Sequence, residues 1–433
     1  MYRTGLFAAT LVLALVAPNV REVRATESTP NVVFEWNQIL QDTIPGAGAV
    51  GAARFYGMTH IAMFDAVNAI EREFESYRVA LRHRSSGSPA AAAAQAAHDV
   101  LAALNPPAAP AYDALLAQQL GTKPSSFSRR GAAVGALVAK EILSWRQNDG
   151  WVVASAPAYV EPLLPGRWQP TPPNNPAATF THLQNAAPLA LLTSTQLLPA
   201  PPPSLTSERY ATDVNEIKLI GKSDSAVRTT DQTSIARLWA GVATTNTGTA
   251  TNFFAIWNNL VRDVSRERRL SLVETARLFA LVNVSIHDGL QTAQTSKFVY
   301  GLWRPVTAIR QADTDLNPAT DPDPEWLPLI TTPPYPSYAG NMACIGASAA
   351  RALQLGFGTN DIPVTATWRQ SGGLPDVSHQ FDGFWQAAEE QTDSRIYGGI
   401  HYRFDHDAGH QVGRSVAEFV FANFMTPRHR WDD

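Results

Sequence analysis

The 433-residue chain has a single cysteine, Cys344, so it forms no internal disulfide and its stability must come from a large apolar core. It also lacks a basic excess. The formal net charge is −4, whereas a nucleic-acid surface needs local cations in numbers that displace counterions. Nucleic acid is therefore excluded as a partner, and any anion site must be a local concentration of cations. No nucleotide-binding loop, nucleophile elbow or zinc-finger spacing is present, and strand-like alternation is nearly absent. An apolar run long enough to span a bilayer is missing too. Gly5 to Ala17 follows Arg3 and precedes Val23-Arg24-Ala25, which places small residues where signal peptidase cuts. Residues 1–25 are read as a signal peptide, with Thr26 as the mature N-terminus, no membrane span in the mature chain and a periplasmic or secreted location.

The remainder is rich in helix signals. With 45% hydrophobic and 17% charged residues the balance is that of a globular protein, and the expected fold is all-α, one helical domain over 26–433. Helices are expected over 47–75, where Ala52, Tyr56, His60 and Phe64 recur at spacing four, and over the Ala-rich 89–104, stopped by Pro106-Pro107. Further helices are expected over 127–147, 205–220, 228–243, 252–263, 270–295, 340–356 and 400–424. Between them, residues 151–203 carry a cluster of prolines. Proline removes a donor and blocks helix interiors, so this stretch reads as a long extended connection draped over the surface. A second proline- and aspartate-rich loop covers 312–338.

Two segments concentrate the chemistry. In Lys297-Phe-Val-Tyr-Gly-Leu-Trp-Arg304-Pro305 the two cations are two helical turns apart, which puts both on one face, with Pro305 placing Arg304 at the helix end. Taken alone, this reads as two cations in surface salt bridges. In Ser394-Arg395-Ile-Tyr-Gly398-Gly399-Ile-His401-Tyr-Arg-Phe-Asp405, the imidazole and carboxylate are four apart, so Asp405 can fix the tautomer of His401. Gly398-Gly399 lets the chain turn and approach a ligand closely. The plain reading is a helix-surface pair.

Together the two segments resemble the vanadium haloperoxidase and type 2 phosphatidic-acid phosphatase superfamily. That family is marked by a lysine, six residues and Arg-Pro, and later by Ser-Arg, five residues, a histidine, three residues and an aspartate. The context looks like the bacterial haloperoxidase-like branch, through Trp303 to Arg310, Asp231-Gln232-Thr233 and Phe384 to Glu390. The resemblance implies a helical bundle whose anion-site segments lie within 270–424. It also implies that Lys297, Arg304 and Arg395 hold the oxygens of vanadate or phosphate, that His401 coordinates vanadium or attacks phosphorus, and that Asp405 orients His401.

The Pro-Ser-Gly-His element between the two is degenerate. One register of Pro333-Pro334-Tyr335-Pro336-Ser337-Tyr338-Ala339-Gly340-Asn341-Met342 puts Gly340 at the serine, Asn341 at the glycine and Met342 at the acid–base histidine. A second, starting at Pro336-Ser337, puts Tyr338 and Ala339 at the last two places. In the first register Gly340, through its backbone N–H, and Asn341, through its amide, remain oxyanion-binding candidates, but Met342 cannot transfer a proton, and loss of a general acid typically costs about two to four orders of magnitude in rate.

The resemblance thus implies peroxide-dependent halide oxidation with vanadate as cofactor. It leaves open hydrolysis of a phosphate ester through a phosphohistidine, and an oxyanion-binding homologue impaired by Met342. Homo-oligomer formation stays open. A divalent-metal site around His401, Asp405, His406, Asp407 and His410 is the rival class, but helical projection puts His406 and His410 on a face away from His401. His379 is a candidate substitute acid, and His287-Asp288 a candidate support for the pocket. His60 reads as a satisfied core histidine.

Overall fold

The computed structural model describes residues 31–44, 48–81 and 85–428. The expected leader, residues 1–25, lies outside them. The first helices are α1 (Val32–Thr43), α2 (Gly48–Glu71), α3 (Pro89–Leu104), α4 (Ala109–Leu120) and α5 (Ser126–Arg146). Then come α6 (Glu208–Ile220), α7 (Thr230–Trp239), α8 (Phe253–Glu267), α9 (Leu272–Tyr300) and α10 (Pro305–Arg310). The C-terminal set is α11 (Asn341–Phe357), α12 (Phe384–Tyr397) and α13 (Arg403–Asn423). The protein is all-α apart from one hairpin, β1 (Val364–Trp368) against β2 (Val377–Phe381). That hairpin was not expected. Its alternation is real but short, with Val364, Ala366 and Trp368 buried and Thr365 exposed. Helices α1, α4, α10 and α12 were also unforeseen.

The long α9 is the axis of the molecule. A capping box between Ser271 and Glu274 starts it, and Gly301 ends it with φ +62°. Its side chains are buried from Val273 to Phe298 with few breaks, as expected of a helix packed on all sides. Helix α2 packs on it and carries α3 and α5, while α11 and α13 also pack on it and α11 carries α12. Both groups pack through small residues. A Cβ on Gly135 of α5 would stand 2.2 Å from Ala92 O of α3. One on Gly409 of α13 would stand 2.5 Å from Gly340 O, and one on Gly413 2.5 Å from Cys344 O, so α11 and α13 meet backbone to backbone.

The proline-rich stretch is an extended strap, as its composition implies, and it is tied down firmly. Asp288 of α9 accepts the successive N–H groups of Leu189, Ala190 and Leu191 at 2.7–2.8 Å. Trp168 N–H donates to Gly301 O at 2.8 Å, and the Tyr338 hydroxyl to Ala200 O at 2.6 Å. The apolar interior divides into a large cluster around α2, α9 and α11 and a smaller one of Tyr210, Trp303, Trp326, Tyr402 and Phe404 with their neighbours. Lys297, Arg304 and His401 fall at the seam between the two.

Candidate functional site

Arg304 does not share a helix face with Lys297. Gly301 ends α9 in a left-handed turn, and Arg304 follows in extended backbone (φ −82°, ψ 156°) as the residue preceding α10. His401 likewise precedes its helix: Tyr402 is the cap of α13, and Asp405 sits in the first turn. The pairs foreseen from helical spacing do form, but turns rather than a common helix face bring them together.

Lys297 Nζ is buried and donates to Ser337 O at 2.7 Å and to Ala339 O. Arg304 Nε donates to Tyr335 O at 2.7 Å, and Nη1 donates to Ile400 O at 2.9 Å and approaches His401 Nε2 at 3.2 Å. Arg395 Nη2 donates to Ala236 O at 3.0 Å. His401 Nδ1 lies 2.7 Å from Asp405 Oδ2, which also accepts from Ser337 Oγ at 2.5 Å and from Tyr402 N–H at 3.2 Å. With Nδ1–H directed at a carboxylate, the Nε2 lone pair of His401 faces Arg304. Gly340 N–H donates to Asp405 O at 2.9 Å, locking the start of α11 to α13, and Asn341 Nδ2 donates to Gln294 Oε1 at 2.9 Å.

Burial dominates the electrostatics. It pushes the Lys297 ammonium well below the usual lysine range, helped by the Arg304 charge, and brings Arg395 down to about 10. Burial, then Arg304 and Lys297, holds His401 well below an ordinary imidazole, so the ring is neutral. Asp405 is pushed up to about 6 by burial, against the Ser337 hydrogen bond and the Lys297 charge. Lys297 and Arg304 thus act on the Asp405 carboxylate, and with Arg395 they act on His401. Arg304 Nη2, Arg395 Nε and Asp405 Oδ1 are buried with no hydrogen-bond partner among the described residues. Donors left bare on buried guanidinium groups fit a tetrahedral or trigonal-bipyramidal oxyanion, which would supply both the negative charge and the acceptors.

Other candidates fall elsewhere. His379 Nδ1 pairs with Glu390 Oε1 at 2.8 Å and is not among the groups perturbing His401. His287 stacks on Trp151 at 4.2 Å, and its neighbour Asp288 serves the strap. Among the described residues no group of three or more His, Cys, Asp or Glu could hold a metal ion. A cavity of about 450 Å³ lined by Gln38, Asp42, Asn259, Arg262 and Arg369 lies away from these residues.

Three residues were missed. Tyr335 places its ring 5.0 Å from the Arg304 guanidinium and 5.5 Å from Lys297 Nζ. Ser337, considered only as a register marker, binds Asp405. His406 was placed on a remote face, yet its ring centroid is 6.3 Å from that of His401. Helical projection failed there because His401 is not in the helix.

This arrangement is that of the helical vanadium haloperoxidase fold. A bacterial vanadium-dependent iodoperoxidase superposes with a TM-score of 0.75 at 23% identity, over 92% of this chain and 96% of that one. A bacterial vanadium-dependent chloroperoxidase follows with a TM-score of 0.66 at 16% identity, over 89% and 97%. Residues 277–429 match the family model of the VCPO second helical-bundle domain, the stretch that holds Lys297 through Asp405. Vanadium chloroperoxidase of Curvularia inaequalis is 25% identical over 319 residues, 58% of this chain; the match spans about half the length of that relative. Residues 277–429 thus carry the helical-bundle domain that this family model describes, and the chain as a whole takes the vanadium haloperoxidase fold.

Proposed function

We propose that the pocket binds vanadate and that the protein oxidises halide with peroxide. The observation that carries this reading is the pair of bare donors, Arg304 Nη2 and Arg395 Nε, beside a neutral His401 whose Nε2 faces them. Lys297, Arg304 and Arg395 would hold the oxygens, and His401 Nε2 would be the ligand once Arg304 Nη1 turns from it to the anion. Asp405, Ser337 and the Tyr402 N–H fix the ring from behind. Vanadate, when bound, supplies the centre that activates peroxide toward halide. Overall, halide, hydrogen peroxide and one proton give hypohalous acid and water. Asn341, in the first turn of α11, has an unpartnered Oδ1 that can accept from a protonated oxygen of the bound anion.

Phosphate matches the same donors, so phosphate-ester hydrolysis through His401 is the second reading. Calorimetric titration of the purified protein with orthovanadate, followed by halide-oxidation and phosphatase assays on the same sample, separates the two. Absence of vanadate binding at millimolar concentration would overturn both. No helix among the described residues is long and apolar enough to cross a membrane. We place the protein outside the inner membrane on the strength of residues 1–25; an intact Met1 in mass spectra of the cell-derived protein would contradict that.

A further inference from the structure

His406 is the one described histidine with both ring nitrogens buried and without a hydrogen-bond partner. It is 3% exposed, and its ring is tilted 51° to that of His401 at a centroid separation of 6.3 Å. That gap is too long for a direct hydrogen bond and suits one bridging oxygen. The charged or titratable groups facing His406 are His401, Arg403 and His410 from its own segment and Arg395 from α12. The plain reading, a core histidine, fits poorly. His60, which is one, bonds Asn37 through Nε2 and lies against Tyr56 and Phe279, with no cation shifting it. A buried imidazole with neither nitrogen engaged is costly unless a ligand engages it.

Met342 leaves a vacancy of function that His406 can fill. The Met342 side chain belongs to the large apolar cluster, with its sulfur 3.8 Å from Gln391 Nε2. We propose that His406 is the hydrogen-bonding and proton-exchanging partner of the oxyanion held at His401, an inference that rests on the vanadate reading above. Halide oxidation consumes one proton as the halide loses two electrons and the peroxide oxygen–oxygen bond accepts them. His406 passes that proton from solvent to the departing oxygen. His410, one turn further along α13, is half-buried and anchored to Thr392 Oγ1 at 2.9 Å, so one face of the helix carries ionisable rings from the pocket toward the surface.

The test compares wild type, H406Q and H406A. Orthovanadate and inorganic phosphate are the calorimetric probes, and iodide oxidation by peroxide is the turnover. Glutamine keeps a donor and an acceptor but cannot shuttle a proton. H406Q is therefore expected to bind orthovanadate within about tenfold of wild type, while kcat falls about 100-fold or more and KM for iodide changes little. Wild-type kcat in H406Q overturns the proposal. So does a wild type that binds vanadate and does not turn over. A wild type that binds neither probe overturns the oxyanion reading itself, which is a distinguishable result. Should H406A fail to fold, wild-type NMR still decides. The His406 ring resonances, assigned by their loss in H406Q, are expected to move on adding orthovanadate. Movement of His401 alone overturns the assignment.

Discussion

Helix α2 and the segment entering α13 each bury a histidine and a carboxylate, and burial pushes both Asp65 and Asp405 up to about 6. Their surroundings differ. Asp65 is saturated by three successive backbone donors, Tyr77, Arg78 and Val79, at 2.7–2.9 Å. Asp405 binds a hydroxyl, an imidazole and one backbone N–H, and keeps Oδ1 bare. Burial pushes His60 down to about 3 with no charged group contributing, whereas three cations contribute to lowering His401. A displaced pKa therefore does not distinguish a structural pair from a site. Bare donors on buried cations do. Arg146, buried at the end of α5, spends Nε on Asp149, Nη1 on Pro188 O and Nη2 on Ala187 O, while Arg395 has only its Nη2 engaged.

The sharpest break between the two regions is in turnover. His401→Ala removes the imidazole proposed above as the vanadium ligand and is expected to cut halide oxidation by about 10,000-fold or more. His60→Gln, which preserves a partner for Asn37, should leave kcat within about threefold. Steady-state assays on both variants check this, and equal losses would dissolve the distinction drawn here.

Next in size is anion affinity. Arg395→Met removes one charge from the pocket and should weaken orthovanadate binding about 30-fold or more, the usual scale for a buried charged hydrogen bond. Arg146→Met should lower thermal stability, because the Ala187 and Pro188 carbonyls lose their guanidinium donor and Asp149 keeps only Arg54 and the Trp151 N–H, while leaving affinity unchanged. Calorimetry and thermal melts of the two proteins measure both halves.

The two aspartates should behave alike toward pH in the vanadate-free protein. Each has a folded pKa near 6, above the ordinary carboxylate value, so the folded state holds the proton more tightly. Their contribution to stability is fully present below the unfolded pKa and is lost as pH rises from about 4 to about 6. Asp65→Asn and Asp405→Asn should each remove up to about 1.4 kcal/mol per pH unit of that decline. Denaturant midpoints across this window provide the measurement. Only Asp405→Asn should also weaken vanadate binding.

Most of the helices and the strap were legible in the sequence because each has a local cause, and the two motifs that the structure brings together were visible for the same reason. Proline clusters, caps and gapped cationic motifs act within a few residues of themselves. Helix α12 was missed although Arg395 on it was picked, since its buried face mixes Phe384 and Ala388 with Gln391, Thr392 and Ser394. His406 was misplaced for a different reason. Its position depends on where α13 begins, at Arg403 rather than near His401, and helix starts are the least determinate feature of a sequence. Tyr335 carried no signal, because its meeting with Arg304 and Lys297 depends on how the loop after α10 returns to the end of α9.

The smallest expected effect belongs to the residue that stood out most in the sequence. Met342→His restores the histidine of the family's degenerate element, and if the acid were simply missing, activity should rise by about 100-fold or more. The structure argues otherwise. Met342 is 8% exposed and packed in the large cluster, where its sulfur meets the Gln391 amide, and that amide's oxygen accepts the Trp257 indole N–H at 2.6 Å. An imidazole there would meet an amide already engaged on one side and would stand among apolar neighbours that cannot relay a proton to it. With His406 facing His401, the proton already has a carrier. Met342→His is expected to change kcat for halide oxidation by less than about threefold and to lower stability by roughly 1–2 kcal/mol, the cost of a polar ring in an apolar site. The decisive comparison is the double variant with H406Q. If Met342→His rescues H406Q while leaving the wild type unchanged, an imidazole at either position can serve the same oxygen. A large gain in the wild-type background would instead mean that the pocket lacks a proton carrier and that His406 has no part in turnover.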